Sequence, residues 1–337
     1  MRFVKILAVA TAALATAPAN AQYYAGKTIE FIVGTGPGGG YDTYARVVAR
    51  HMPKYIAGTP TIAVKNLPGA GSAKAAAMIA SVSPKDGTSV GIVFPGVIIG
   101  PVLDPGMTKL FEPSKFIYIG SADSGTRVCV TYATSKIKTL ADAQKMKTVL
   151  GASAAGGSTR DYAHMLNHTT GTQFQVVNGY KGTADIFLAV ERGEVDGLCG
   201  LDWSSLKAQR GSWIAEKKLN IIVQTAIETE PALNELKVPH IHQLIKNEAD
   251  RKAADLVMSQ QVFGRPFILP PGTNPEAVKI LREAFLKALA DPALLAEAAK
   301  MRIDINPIDG ERVQKLVESL YVMPQDVVER ARKISLQ

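Results

Sequence analysis

Two short stretches of this chain place glycines, hydroxyls and a helix start at the spacing that would receive a small anion. The first is Gly34-Thr35-Gly36-Pro37-Gly38-Gly39-Gly40-Tyr41-Asp42, and the second is Ser153-Ala154-Ala155-Gly156-Gly157-Ser158-Thr159. Glycines let backbone N–H groups approach a ligand, and the unpaired N–H groups of a helix's first turn, with the positive end of its dipole, favour negative charge there. Each stretch would then act as a cradle for a carboxylate or similar group. The alternative is that the glycines only make tight turns.

Nucleotide chemistry fits poorly. Gly34, Gly36 and Gly39 satisfy G-x-G-x-x-G, but the next strand, Thr61 to Val64, ends in Lys65-Asn66 where a dinucleotide fold wants an acid for the ribose. A phosphate loop needs Gly-Lys-Ser/Thr, and Gly40-Tyr41-Asp42 stands in that place. Other reactive groupings are sparse. There is no Gly-x-Ser-x-Gly elbow, and neither Cys129 nor Cys199 has a nearby His. His164 and His168 share a helical face by spacing, without the Glu that His-Glu-x-x-His requires. No cofactor and no metal is therefore expected.

The amino terminus sets the compartment. Arg2 and Lys5, the apolar run Ile6 to Ala17 and Ala19-Asn20-Ala21 read as a secretory signal over residues 1–21, with the mature chain starting at Gln22. The apolar run is too short to span a bilayer, and Thr88 to Leu103 is interrupted by Gly91, Pro95, Gly96, Gly100 and Pro101. A location outside the cytoplasm follows. There the two cysteines either pair or stay free, and spacing leaves both open. The chain carries 38 Lys and Arg against 30 Asp and Glu, scattered singly, so nucleic-acid binding has no support.

The elements that would position the cradles alternate. Ile29 to Val33, Thr61 to Val64 and Ser89 to Phe94 read as strands separated by helical patterns from Tyr41 and from Lys74. After Phe116 to Gly120 the chain crosses through Ser121 to Gly125 and a second alternation begins: Val128 to Tyr132, Thr148 to Gly151, Phe174 to Val177 and Val195 to Cys199. Leu219 to Gln224 is a further strand, Thr229 to Leu244 a polar connection, and Val262 to Leu269 a strand returning to the first half. The tail from Glu276 is helical, with no chemistry evident in it. An α/β chain of two domains results, with 22–122 and 246–337 forming domain 1 and 123–245 domain 2. Ligands of such folds collect at the carboxyl ends of the strands, where both cradles lie.

In this order the residues resemble the periplasmic solute receptors of tripartite tricarboxylate transporters, the Bug receptor family. The resemblance rests on Pro37 to Asp42 with Ala45-Arg46, on Asn66, Pro68, Gly69 and Gly71, and on Pro84, Asp86 and Gly87. It continues through Ser153 to Ser158, Tyr180-Lys181-Gly182, Val195-Asp196, Pro271-Gly272 and Ala290-Asp291-Pro292. It implies a periplasmic flytrap receptor with a mixed sheet in each domain, crossing hinge strands, no catalysis, a monomeric state and a membrane permease as partner. It also implies a ligand carboxylate held by Pro37, Gly38, Gly39, Gly40, Tyr41 and Asp42 on one side and by Ser153, Ala154, Gly156, Gly157, Ser158 and Thr159 on the other. Tyr41, Phe94 and Tyr180 would pack on ligand carbons or in the domain core, and Lys181 would meet ligand charge or solvent. The chain departs from the family at Gly40, where a hydroxyl residue is frequent, and at Gly200, where an aspartate is; Asp202 follows two residues later. Arg127 and Arg265, one near each crossing, would pair with a second ligand carboxylate or form ordinary salt bridges. An exported enzyme acting on a small acid and a soluble ligand sensor are the alternative functions.

Overall fold

A computed structural model of the chain describes residues 23–104, 106, 110–153 and 157–336. The leader, residues 1–21, and Ala154 and Gly156 of the second cradle lie outside the described residues. Among the described residues eleven strands form: β1 (Thr28–Val33), β2 (Thr61–Asn66), β3 (Ser89–Ile92), β4 (Ile117–Ser121), β5 (Arg127–Tyr132), β6 (Thr148–Gly151), β7 (Phe174–Val177), β8 (Gly197–Asp202), β9 (Leu219–Thr225), β10 (Pro266–Leu269) and β11 (Ile308–Asp309). They make two mixed sheets, β11-β4-β10-β3-β1-β2 and β7-β6-β8-β5-β9. Helices cover both, as expected of an α/β chain of this kind.

Within each sheet the parallel pairs, β1 with β2 and β3, and β6 with β7 and β8, are the products of strand–helix–strand connections. The antiparallel members are β10 and β11 in the first sheet and β5 and β9 in the second. Of these, β5, β9 and β10 enter or leave near the two crossings. β4 ends at Ser121 and β5 begins at Arg127, while β9 ends at Thr225 and β10 begins only at Pro266. The returning strand is thus shorter than the Val262 to Leu269 run suggests, because Val262 follows a helical turn at Ser259–Gln261. The stretch Thr229 to Leu244 is not merely a connection. It holds two short helices, Pro231–Glu235 and Ile241–Leu244, the first begun by a proline and the second by His240 as its cap.

Apolar side chains explain why the lobes stay together. Phe31, Phe267 and Phe285 pack edge-to-face or tilted in the core of the first sheet, and Phe187, Trp213 and Tyr132 edge-to-face in that of the second. A further buried cluster is continuous across both sheets, running from Ile32 and Ile268 through Val257, Ala331 and Ile334 to Leu150 and Cys199. Its bridge is the helix Gln325–Leu336, which packs on Glu248–Met258 and on Ser158–Thr170. No helix among the described residues is long and apolar enough to cross a membrane.

Candidate functional site

A narrow cavity of about 30 Å³ lies between the sheets at the carboxyl ends of their strands. Its first wall follows β1. Thr35, Gly39, Gly40 and Tyr41 line it, with Phe94 beside them at the end of β3. Gly39 is the N-cap of the helix Gly40–His51 and supplies no side-chain cap, so the first N–H groups of that helix face the cavity without an intrahelical partner. The turn's shape is fixed from behind. One oxygen of the Asp42 carboxylate accepts from the Gly38 N–H and the Arg46 Nε, and the other from the Asn66 amide, each at 2.9 Å.

The second wall is built the same way. Gly157 caps the helix Ser158–Thr170 without a side chain, and Ser153, Ser158 and Thr159 line the cavity. The Ser153 N–H donates to the Thr159 hydroxyl oxygen at 3.0 Å, and the Ser158 hydroxyl donates to the Gly200 carbonyl at 2.7 Å. A third helix, Thr183–Glu191, starts from Gly182, again with no side-chain cap, and Gly182, Thr183 and Ile186 reach the same cavity. Three helix N-termini, each begun by glycine, therefore converge on one space, where their partial positive charges add.

The floor is ionic. Arg127 and Asp202 are directly paired across the antiparallel strands β5 and β8, and Arg127 Nη1 lies 2.5 Å from Asp202 Oδ2. Arg265 reaches the other oxygen, its Nη2 lying 2.8 Å from Oδ1, and also donates to Ser205 Oγ at 2.7 Å. All three charged residues are at most 4% exposed. Asp202 in addition caps the helix Trp203–Ala215 through the Ser205 N–H. Burial alone pushes the Asp202 carboxyl up, but Arg265, Arg127, the Ser205 N–H and the Ser204 hydroxyl overcome it and hold the group at about 2. Neighbouring Asp123, on the first crossing, has the opposite fate. Burial and then the Asp202 charge push it up, against Arg265 and Arg127, to about 7. Arg265 is held firmly cationic, its burial outweighed by Asp202, and its guanidinium stacks on Tyr41 at 4.4 Å and on Tyr44 at 5.0 Å.

The rim is where the two sides touch. The Gly36 N–H donates to the Lys181 carbonyl at 3.1 Å. Deeper in, the Tyr44 hydroxyl lies 2.8 Å from Ser204 Oγ and donates to the Asp304 carbonyl at 2.6 Å. Gly40 lies at one such close approach. A Cβ there would lie 2.3 Å from Ser205 Oγ and 3.1 Å from Arg265 Nη2.

Of the residues expected from the sequence, the cavity gathers Gly39, Gly40, Tyr41, Phe94, Ser153, Ser158, Thr159, Arg127, Arg265 and Asp202. Gly157 stands behind Ser158 as its cap. Five others sit outside. Pro37 and Gly38 are exposed on the turn, Asp42 is consumed in holding that turn, Tyr180 packs toward the second sheet's core, and Lys181 contributes its backbone to the rim. Arg127 and Arg265 form salt bridges, as one of the two readings had it, yet also face the cavity. Thr35, Gly182, Thr183, Ile186, Leu201 and Ser205 line it and were not singled out. For Gly182-Thr183 the signal was present, because a glycine directly precedes a helical pattern there. Trp213 is core, and Trp203 is buried with it. Cys129 and Cys199 form a disulfide joining β5 to β8, the strands that carry Arg127 and Asp202.

Comparison with known proteins agrees with this architecture. Over 343 aligned residues the chain is 25% identical to a protein of Cupriavidus necator described as "UPF0065 protein in gbd 5'region", covering 96% of this chain and 94% of that one. It is similar in structure to the periplasmic binding protein BugD, with a TM-score of 0.73 at 20% identity over 93% of this chain and 99% of that one. It is similar also to MatC of Rhodopseudomonas palustris, solved with bound malate, with a TM-score of 0.69 at 19% identity over 90% and 99% of the two chains. Residues 44–332 match the model of the tripartite tricarboxylate transporter family receptors, and the chain belongs to that family.

Proposed function

We propose that the chain is an extracytoplasmic receptor that captures a small organic carboxylate between two lobes and delivers it to the permease of a tripartite transporter. The observation that carries this reading is the convergence of three glycine-begun helix N-termini on one cavity. The ligand carboxylate sits against the N–H groups at Gly40–Tyr41 and Ser158–Thr159, with the hydroxyls of Ser153 and Thr183 in reach. Tyr41, Phe94 and Ile186 pack on its carbon skeleton. MatC, a relative in fold, holds the carboxylate malate, which supports the ligand class.

The lobes are residues 22–122 with 246–337, and 123–245, hinged at Ala122–Thr126 and at the return before Pro266. A leader over residues 1–21 is removed on export, and the receptor acts as a monomer. Because the walls belong to different lobes, a ligand touching both binds the shut form better than the open one, and its free energy drives closure. The permease then reads the shut surface. Nothing in this cycle needs a reactive side chain. A thermal-shift screen of small carboxylates tests it, since binding to the folded state alone raises the melting temperature. Stabilisation by acids, with the acid recovered unchanged, is expected; no stabilisation, or turnover, would overturn the reading.

A further inference from the structure

We infer that Asp202 is a built-in counter-carboxylate that reserves the arginine pair and makes this site select monocarboxylates over dicarboxylates. The inference rests on the receptor reading above and names the ligand class for the same cleft. Two buried guanidiniums at the floor of a carboxylate site would ordinarily be read as the seat of a second ligand carboxylate, since planar forks suit that group. That seat is taken. Asp202 places one oxygen on each arginine, and its Oδ1 also accepts from the Ser204 hydroxyl at 2.8 Å and the Ser205 N–H at 2.9 Å.

Charge decides what remains. Arg127 and Arg265 bring two positive charges, Asp202 brings one negative, and Asp123 lies close enough to feel all three. The floor therefore keeps at most one positive charge in excess, enough to balance a single carboxylate lying at the helix N-termini. A second carboxylate would have to enter beside Asp202, buried and away from water, where like charges repel most strongly. Around the remaining volume stand Tyr41, Phe94, Ile186 and Leu201, which suit an apolar or aromatic body, and among the described residues the lining has no cationic side chain beyond Arg127 and Arg265 to pair with a second acid. The alternative seat for a second charge, Lys181, is turned out to solvent.

The test is calorimetric titration with matched pairs, hexanoate against adipate and benzoate against terephthalate, in the wild type and in Asp202→Asn. Asn keeps the cap oxygen of the helix Trp203–Ala215 and removes the charge. The wild type should bind the monoacid of a pair roughly 100-fold more tightly than the diacid. Asp202→Asn should narrow or reverse that ratio by gaining the diacid. A wild type that binds diacids as tightly as monoacids overturns the inference while leaving the receptor reading intact, and this arm needs no variant to fold. Diacid binding that stays weak in folded Asp202→Asn also overturns it. Silence from both series removes the receptor reading and this inference together.

Discussion

Gly40→Ala should act as a wedge between the lobes. A methyl group at that position would meet Ser205 Oγ at 2.3 Å, Ser205 Cβ at 3.3 Å and Arg265 Nη2 at 3.1 Å, whereas ordinary contact begins at 3.4 Å. Rotating the Ser205 hydroxyl away would break the hydrogen bond it accepts from Arg265 at 2.7 Å and leave Ser205 Cβ in place at 3.3 Å. The relief available is to move the helix Trp203–Ala215 and the helix Gly40–His51 apart by about 1 Å, which partly opens the cleft. Overpacking of this kind costs about 1–3 kcal/mol. Since the clash exists only where the two lobes meet, that cost falls on closure, and it converts to a roughly 5- to 150-fold loss of ligand affinity. Titration calorimetry with a carboxylate found by the screen reads it directly. Thermal unfolding without ligand should change little, because neither Gly40 nor Ser205 belongs to an apolar core cluster. Wild-type affinity in Gly40→Ala would refute the claim that the two walls close on one ligand.

Three further outcomes follow from the same geometry. Asp42→Ala removes the acceptor for three hydrogen bonds behind the first turn and should cost about 1–3 kcal/mol in unfolding experiments, with weaker ligand binding; Asp42→Asn should recover part of both. Replacing Cys129 and Cys199 by alanine frees two strands separated by 70 residues and should lower stability by about 4 kcal/mol on the chain-entropy account, while alkylation of the unreduced wild type should add no mass. The two aspartates should respond to pH in opposite directions. Asp202 lies below its ordinary value, so its contribution is present above about pH 4 and is lost as pH falls toward 2. Asp123 lies above its ordinary value, so its protonated form favours the fold and stability declines as pH rises from about 4 through 7. Asp123 faces Tyr44, Asn306, Asp202, Arg127, Arg265 and Asp304, and its ionised form competes with a ligand carboxylate for the same positive field. Carboxylate affinity should therefore fall between pH 6 and 8, and Asp123→Asn, measured by calorimetry, should flatten that slope.

Local chemistry was readable in the sequence and long-range pairing was not. The strand–glycine–helix pattern at Gly34 to Arg50 and its repeat at Gly151 to Tyr162 follow from backbone rules that act over a few residues, so both walls could be placed. Lobe facing is different. Thr183 belongs to a helix start visible in the sequence and Ser205 to one that was not singled out, and only the meeting of the lobes brings them to the cavity. The disulfide stayed open for the same reason, since Cys129 and Cys199 meet through the antiparallel pairing of β5 with β8. Asp42 was expected at the ligand and is found bracing the turn; an acid at a glycine turn looks the same in the sequence in either role. The bridging role of Gln325–Leu336 was invisible, an apolar stripe saying that a helix is packed without saying on what. The glycine at position 40 was the most informative departure. Where the family often carries a hydroxyl residue, this chain leaves room for the Ser205 hydroxyl from the opposite lobe.

The most direct test titrates the wild-type protein with a matched carboxylate and carboxamide, such as hexanoate and hexanamide, at pH 6. Saturable one-to-one binding of the acid, with the isosteric amide at least roughly 100-fold weaker, is the result expected if the converging helix termini hold a negative charge. Equal binding of the amide, or binding of the acid that survives Gly40→Ala unchanged, would contradict it.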